Sequence, residues 1–361
     1  MMFCLLTLMT ARAQDRVEAS LGVWLAPSDT ASMGGAGIGL ASGASGLYLV
    51  PAAAASRRTH QTGVFSATGT LAFMRVGAGD PVDLGNTGLG EASWEGISAN
   101  IGGAAAIGPM GLGVAARALR YTDEEGQQVS LYQAHSGLAA RARGGRFVVG
   151  AGLRPLVLDA SVSNVEATWW GMGAEAGLQV VSGRSGWSAG LGWRSQVIAA
   201  ADEGELIGVN EAVMPAQVTL GGAWTSRESM SWARHLVVVA DAELTGRVED
   251  GVALEPLIHG AVLSKGEAVT LTPKLGAECE VWPDRLKVQV GSYYEAARTE
   301  AAPSRLHGTG GAEVRLVHME GFRGLLDHDV SWAVSADVAD RYNNIGFLSF
   351  RFWRPTSLLV D

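Results

Sequence analysis

Apolar and polar residues alternate with period two along most of this chain, in segments bounded by Gly, Asn, Asp and Pro. In 305–316 one face carries Arg305, His307, Thr309, Glu313 and Arg315, and the other Leu306, Gly308, Gly310, Ala312, Val314 and Leu316. In 269–281, Thr270, Thr272, Lys274, Glu278 and Glu280 oppose Val269, Leu271, Leu275, Ala277 and Val281. Side chains of a strand point alternately to opposite sides, so each segment predicts a strand with one charged and one apolar face. Fourteen such segments fall near 62–77, 92–106, 111–121, 128–140, 146–158, 164–181, 187–199, 215–225, 235–247, 267–281, 285–296, 305–318, 328–338 and 343–353. Tilted membrane strands need ~9–11 residues, and bacterial barrels have an even strand number.

The connections separate by parity. Odd gaps are mostly long (78–91, 122–127, 159–163, 200–214, 248–266, 297–304, 339–342) and even gaps mostly short, as at 107–111, 142–145, 181–186 and 282–285. Transmembrane barrels have short turns at one end and longer loops at the other. Acidic residues such as Asp123, Glu124, Glu125 and Glu255 gather in the long gaps, and Arg141, Arg143, Arg184, Arg285 and Arg323 at the short end, with Trp187, Trp224, Trp232, Trp282 and Trp353. Indoles suit a lipid–water interface. Alternation alone also fits a soluble all-β protein; parity and Trp placement favour the membrane barrel. The last strand, NNIGFLSFRFW, alternates aromatics as outer-membrane barrels do near their C-terminus, although RPTSLLVD follows it.

Composition narrows the classes further. The 49 glycines disfavour long helices. A net charge of −9 argues against nucleic acid as a partner, which needs basic patches. An apolar stretch of ten residues is followed by Ala11-Arg12-Ala13, resembling a secretory signal with its A-x-A cleavage pattern. Removal of that segment takes Cys4 with it and leaves Cys279 alone, so no internal disulfide is expected. The predicted organisation is a signal at 1–13, an N-terminal plug at 14–61, a barrel at 62–354 and a tail at 355–361.

The plug segment contains ASMGGAGIGLASGASGLYLVPAAAAS at 31–56. Three placements are open to it: projection from the barrel, extra strands, or the lumen. Small residues favour the lumen, where a plug packs closely on the wall, and Pro51 before four alanines suits a short helix. This stretch is similar to the N-terminal segment of the long-chain fatty acid transporter (FadL) superfamily and its PorV-like relatives, through Gly34, Gly35, Gly37, Ala44, Ser45, Tyr48, Pro51 and Ala52. Val50 stands where the family carries Asn, and Gly43 where Asp is common. MPAQVTLGGAW at 214–224, LVVVADAEL at 236–244 and RLKVQVGSYYE at 285–295 resemble family strands. The resemblance implies an all-β fold, a 14-stranded antiparallel barrel in the bacterial outer membrane with an N-terminal hatch in its lumen. Gly34, Gly35, Gly37, Tyr48, Pro51 and Ala52 are the expected hatch residues.

The resemblance implies two functions. One is transport of a small hydrophobic compound, such as a long-chain fatty acid, past the hatch and sideways into the lipid. The other is a PorV-like scaffold that binds secreted proteins through its long loops. Leu206 and Ile207 in loop 200–214, and Leu254, Leu257 and Ile258 in loop 248–266, are candidate ligand contacts, because loops so apolar would be odd if simply solvated. Lys287, Arg305 and Arg315 are candidate partners for an acidic headgroup. Ion-pair networks filling the lumen are the competing reading for these and for Arg117, His135, Arg154, Glu175, Arg194, Asp241, Glu243 and Lys274. Catalysis lacks support: there is no G-x-S-x-G elbow, and neither H-E-x-x-H nor C-x-x-C occurs, so no metal or cofactor is expected.

Overall fold

A computed structural model describes residues 16–20, 26–56, 64–74, 83, 85–88, 95–123, 125–142, 146–162, 165–181, 186–203, 209–226, 234–259, 261–321 and 326–352. The wall is antiparallel: β2 (Phe65–Met74), β3 (Glu95–Ile107), β4 (Met110–Thr122), β5 (Gln128–Arg141), β6 (Phe147–Val162), β7 (Val165–Val181), β8 (Trp187–Arg194), β9 (Val197–Glu203), β10 (Glu211–Met214), β11 (Gln217–Thr225), β12 (Arg234–Thr245), β14 (Thr270–Trp282), β15 (Leu286–Glu295), β16 (Arg305–Gly321), β17 (Leu326–Ala339) and β18 (Tyr342–Phe352). β18 pairs with β2 and closes the ring. β8 and β9 both pair with β7 and form one strand broken at Ser195–Gln196. β10 and β11 form another, broken at Pro215–Ala216, where proline removes a ladder donor. Counted so, fourteen strands of the described residues make the wall.

Period-two patterning dictates this closure. Large apolar side chains point outward, as with Ile101 (69% exposed), Leu112 (62%) and Leu306 (69%), while Lys287, His307 and Glu313 point inward and are fully buried. Such an apolar belt on all sides belongs against hydrocarbon. Two connections expected to be long are short instead: β6 pairing runs to Val162↔Val165, and two residues separate β17 from β18. β6 extends farther than the alternation implied, to Val162, because Ala160 and Val162 are buried in the apolar core at that end. The expected loop 200–214 shrinks in the same way, with β9 reaching Glu203 and β10 starting at Glu211.

The N-terminal segment combines two of its three options. A short strand, β1 (Arg16–Glu18), lies parallel to β10 and to β13 (Gly251–Ala253) at the long-loop end. Ala44 N–H then donates to Ser66 Oγ at the start of β2, near the short-turn end. The chain therefore threads the lumen from one end to the other. Within it lie α1 (Ser28–Ser32), a 3₁₀ turn at Ile38–Leu40, α2 (Gly43–Gly46) and a 3₁₀ turn at Pro51–Ala54. Every residue from Ser32 to Ser56 is buried. The proposed signal, Leu206, Ile207 and the tail lie outside the described residues.

Candidate functional site: the luminal segment and the wall it seals

The luminal segment touches backbone of the wall because the inward positions beside it are glycine. A Cβ on Gly150 would stand 2.5 Å from Ala52 N, one on Gly111 2.2 Å from Ala54 O, and one on Gly291 2.3 Å from the Met33 carbonyl carbon. Contacts that short do not occur with real side chains, so these positions exclude every residue but glycine while the segment is seated. Gly34, Gly35 and Gly37 have φ of 69°, 71° and 125°, and turn the chain beneath α1.

Polar wall side chains then satisfy the segment's backbone, which has little regular structure of its own. Asp241 Oδ2 accepts from Gly37 N (2.7 Å) and Ile38 N (3.0 Å). Gln179 Nε2 donates to Ile38 O (2.8 Å) and Ala41 O (2.9 Å). The Arg194 guanidinium donates to Leu49 O (3.2 Å) and also to Tyr48 O. Tyr48 is the anchor on the opposite side. Its hydroxyl lies 2.8 Å from Ile101 O and 2.7 Å from Ala116 O, which face each other across the β3–β4 seam. Pro51 and Ala52 pack beneath it against Gly137 and Gly150.

The β3–β4 ladder is continuous at Tyr48, and the wall is interrupted nearby, between β5 and β6. Between β5 and β6, ladder pairing stops after Gln133↔Leu156 and resumes at Leu138↔Ala151. Pro155 lies in the gap, and the Ser136 hydroxyl takes the Leu153 N–H that a strand carbonyl would otherwise receive. An apolar groove of about 520 Å³ opens here, bordered by Ile101, Ala116, Tyr132, Pro155 and Val157, and by Arg117 and Gln133. Arg117 Nε donates to Gln133 Oε1 at 2.7 Å. Arg117 also borders a cavity of about 60 Å³ inside the barrel, with Arg194, Glu243, Lys274 and Tyr293. One side chain thus separates the polar interior from the apolar groove.

The remaining sequence candidates divide. Lys287 is buried between Glu278 (3.6 Å) and Glu313 (3.9 Å). Arg305 is held by Glu295 Oε2 at 2.7 Å and donates to Asp83 O at 2.6 Å. Arg315 pairs with Asp329 at 2.5 Å. These cations are engaged by wall carboxylates or loop backbone, as buried charges require, and the structure does not gather them into one site. Leu254, Leu257 and Ile258 form a short helix, α3 (Leu254–Ile258), buried against Leu119, Tyr121, Leu131 and Trp169. They close the barrel top instead of lining an open cup.

A polar latch holds this cap. Glu255, from α3, accepts the Gly85 N–H at both oxygens (2.9 and 3.0 Å), and Lys265 Nζ donates to Gly85 O (3.1 Å) and Ser20 O (2.7 Å). Burial, reinforced by the nearby Asp83 carboxylate, pushes the Glu255 carboxyl up to about 7; Lys265, the Gly85 N–H and Arg305 oppose the shift. Sequence reasoning did not find this latch, the groove or the wall glycines, because each joins residues far apart in the chain.

No protein-family model and no curated protein sequence matches this chain. Solved structures do. The chain is similar to a Pseudomonas aeruginosa FadL homologue (TM-score 0.60, 13% identity, 91% of this chain and 98% of that one). It is also similar to the Ralstonia pickettii toluene transporter TbuX (0.58, 13%, 91% and 98%) and the P. putida toluene transporter TodX (0.57, 13%, 93% and 98%). The expected FadL-like fold, a closed barrel of fourteen strands, is the fold observed.

Proposed function

We propose that this FadL-like barrel carries small hydrophobic compounds through the bacterial outer membrane, with residues 28–56 as its hatch. The observation that carries the proposal is Tyr48 bound to the β3–β4 seam directly behind the apolar groove. A compound arriving from the long-loop end meets a luminal segment whose residues 32–56 are all buried within the barrel. Passage therefore requires Tyr48 and the backbone around it to shift. The compound then leaves beside Arg117 into lipid, since an apolar solute gains about 25 cal/mol per Å² buried from water. The FadL homologue and the two toluene transporters support the reading of hydrophobic transport, and long-chain fatty acids and toluene are the ligands to try.

The closed cap and the ion-paired interior favour a second reading, a plugged scaffold that binds secreted proteins through its long loops. Binding of a labelled long-chain fatty acid to delipidated protein in detergent separates the two. The folded barrel is identified by its heat-modifiable gel mobility. Saturable binding that unlabelled fatty acid or toluene displaces supports the conduit. No binding of either class by a folded barrel supports the scaffold.

A further inference from the structure

Three ligand-type side chains meet at the long-loop end, outside everything the transport reading uses. Asp123 and Glu125 lie in the β4–β5 connection, and His259 follows α3. One donor atom from each lies within 4.8 Å of the other two. Their segments come together because Leu254, Leu257 and Ile258 pack on Leu119, Tyr121 and Val129, which flank that connection.

The Asp123 side chain is the informative one. It is 1% exposed, yet its Oδ2 has no hydrogen-bond donor. Its Oδ1 is fixed by the Gln127 N–H at 2.7 Å, which aims Oδ2 at His259. The separation from His259 Nε2 is 3.7 Å, too long for a hydrogen bond. It suits two ligands of one ion, since Zn–N and Zn–O bonds of ~2.0–2.2 Å place their donors up to ~4 Å apart. Glu125 is exposed and oriented by Gln127 Nε2 at 2.9 Å, and Gln127 Oε1 is a second buried oxygen without a donor. An acidic loop alone would be a solvated surface. A buried, half-satisfied carboxylate facing an imidazole is a ligand set.

We propose that Asp123, Glu125 and His259 bind one divalent transition-metal ion of the Zn²⁺ class, which clamps the β4–β5 connection to α3. One imidazole nitrogen and two carboxylate oxygens suit Zn²⁺, Mn²⁺ or Co²⁺ better than Ca²⁺ or Mg²⁺, which prefer all-oxygen shells. Water completes the shell on the exposed side. The ion has no part in chemistry; it holds the cap over the apolar core.

The test uses the folded, metal-stripped barrel in detergent, titrated calorimetrically with Zn²⁺ and, separately, with Ca²⁺ and Mg²⁺. Asp123→Ala, His259→Gln and Glu125→Gln are compared; the last alters only an exposed side chain and keeps the test valid if another variant fails to fold. The expected result is one Zn²⁺ per chain, weakened roughly tenfold or more in each folded variant, and a higher unfolding temperature for wild type with Zn²⁺. Absence of saturable Zn²⁺ binding overturns the proposal. So does unchanged affinity in the variants, which places the ion elsewhere, and so does tighter binding of Ca²⁺ or Mg²⁺ than of Zn²⁺.

Discussion

The Tyr48 hydroxyl sits 2.7 Å from the Ala116 carbonyl oxygen, so a residue inside the lumen is tied to the backbone of the wall at the seam behind the groove. Removing that oxygen leaves the ring in place and frees the seam. Tyr48→Phe should lower stability by about 1 kcal/mol, the usual net worth of one hydrogen bond. It should raise hydrophobic flux into vesicles. Thermal unfolding and a vesicle uptake assay check both parts, and unchanged flux with lowered stability would make Tyr48 a purely structural anchor.

The wall glycines make the seating of the luminal segment sterically testable. Gly150→Val places a side chain where Ala52 N now lies, so the segment should be displaced while the wall strands keep their pairing. Gly103→Ala is the control: a Cβ there meets nothing closer than Phe65 Cζ at 3.5 Å. Limited proteolysis within 28–56 should be fast in the first variant and unchanged in the second. Equal protection in both would show that the segment is not held by this contact.

Asp241 holds the turn at Gly37 and Ile38 through two backbone donors. Asp241→Ala leaves both buried N–H groups without their acceptor, at a cost of about 1–3 kcal/mol. Hydrogen exchange at the two amides should accelerate, with β11–β12 pairing retained. Unchanged protection of both amides contradicts the assignment.

Glu255 gives the cap a pH dependence with a defined sign. Its folded carboxyl titrates at about 7, above the model-peptide value of 4.5, so the folded state binds more protons between those limits. The stabilising contribution is complete below about pH 4.5 and is lost as pH rises through about 7. Glu255→Gln mimics the protonated group and should flatten this profile. Thermal unfolding of both proteins between pH 4.5 and 8 measures it; parallel profiles would remove Glu255 as the source.

The barrel was legible in the sequence because alternation is local. Each inward Glu, Lys or Arg declares its face within its own strand, and the fourteen segments coincide with the fourteen wall strands. The ends of β6 and β9 were misread because Ala160, Val162 and Ala201 belong to the apolar core beneath α3, a tertiary cause that no period reveals. The resemblance marked 31–56 as luminal, but not what it binds: Tyr48 meets residues 101 and 116, and Gly37 meets Asp241, across distances no spacing encodes. The groove was hidden for the same reason, since Pro155 reads as a flaw in one strand until Ile101 and Tyr132 are placed beside it. Asp123 and His259 are likewise separated in sequence and joined only by the fold.

The central claim is that the luminal segment must move for a compound to pass, and a reversible tether tests it most directly. Val50 Cβ lies 3.4 Å from the position a Cβ on Gly177 would occupy, close to disulfide range. Val50→Cys with Gly177→Cys, in a Cys279→Ser background, fastens segment to wall. The measurement is flux of a labelled long-chain fatty acid into vesicles carrying the oxidised and then the reduced barrel. The account predicts that flux stops on oxidation and returns on reduction. Equal flux in both states, with the tether verified, would contradict it.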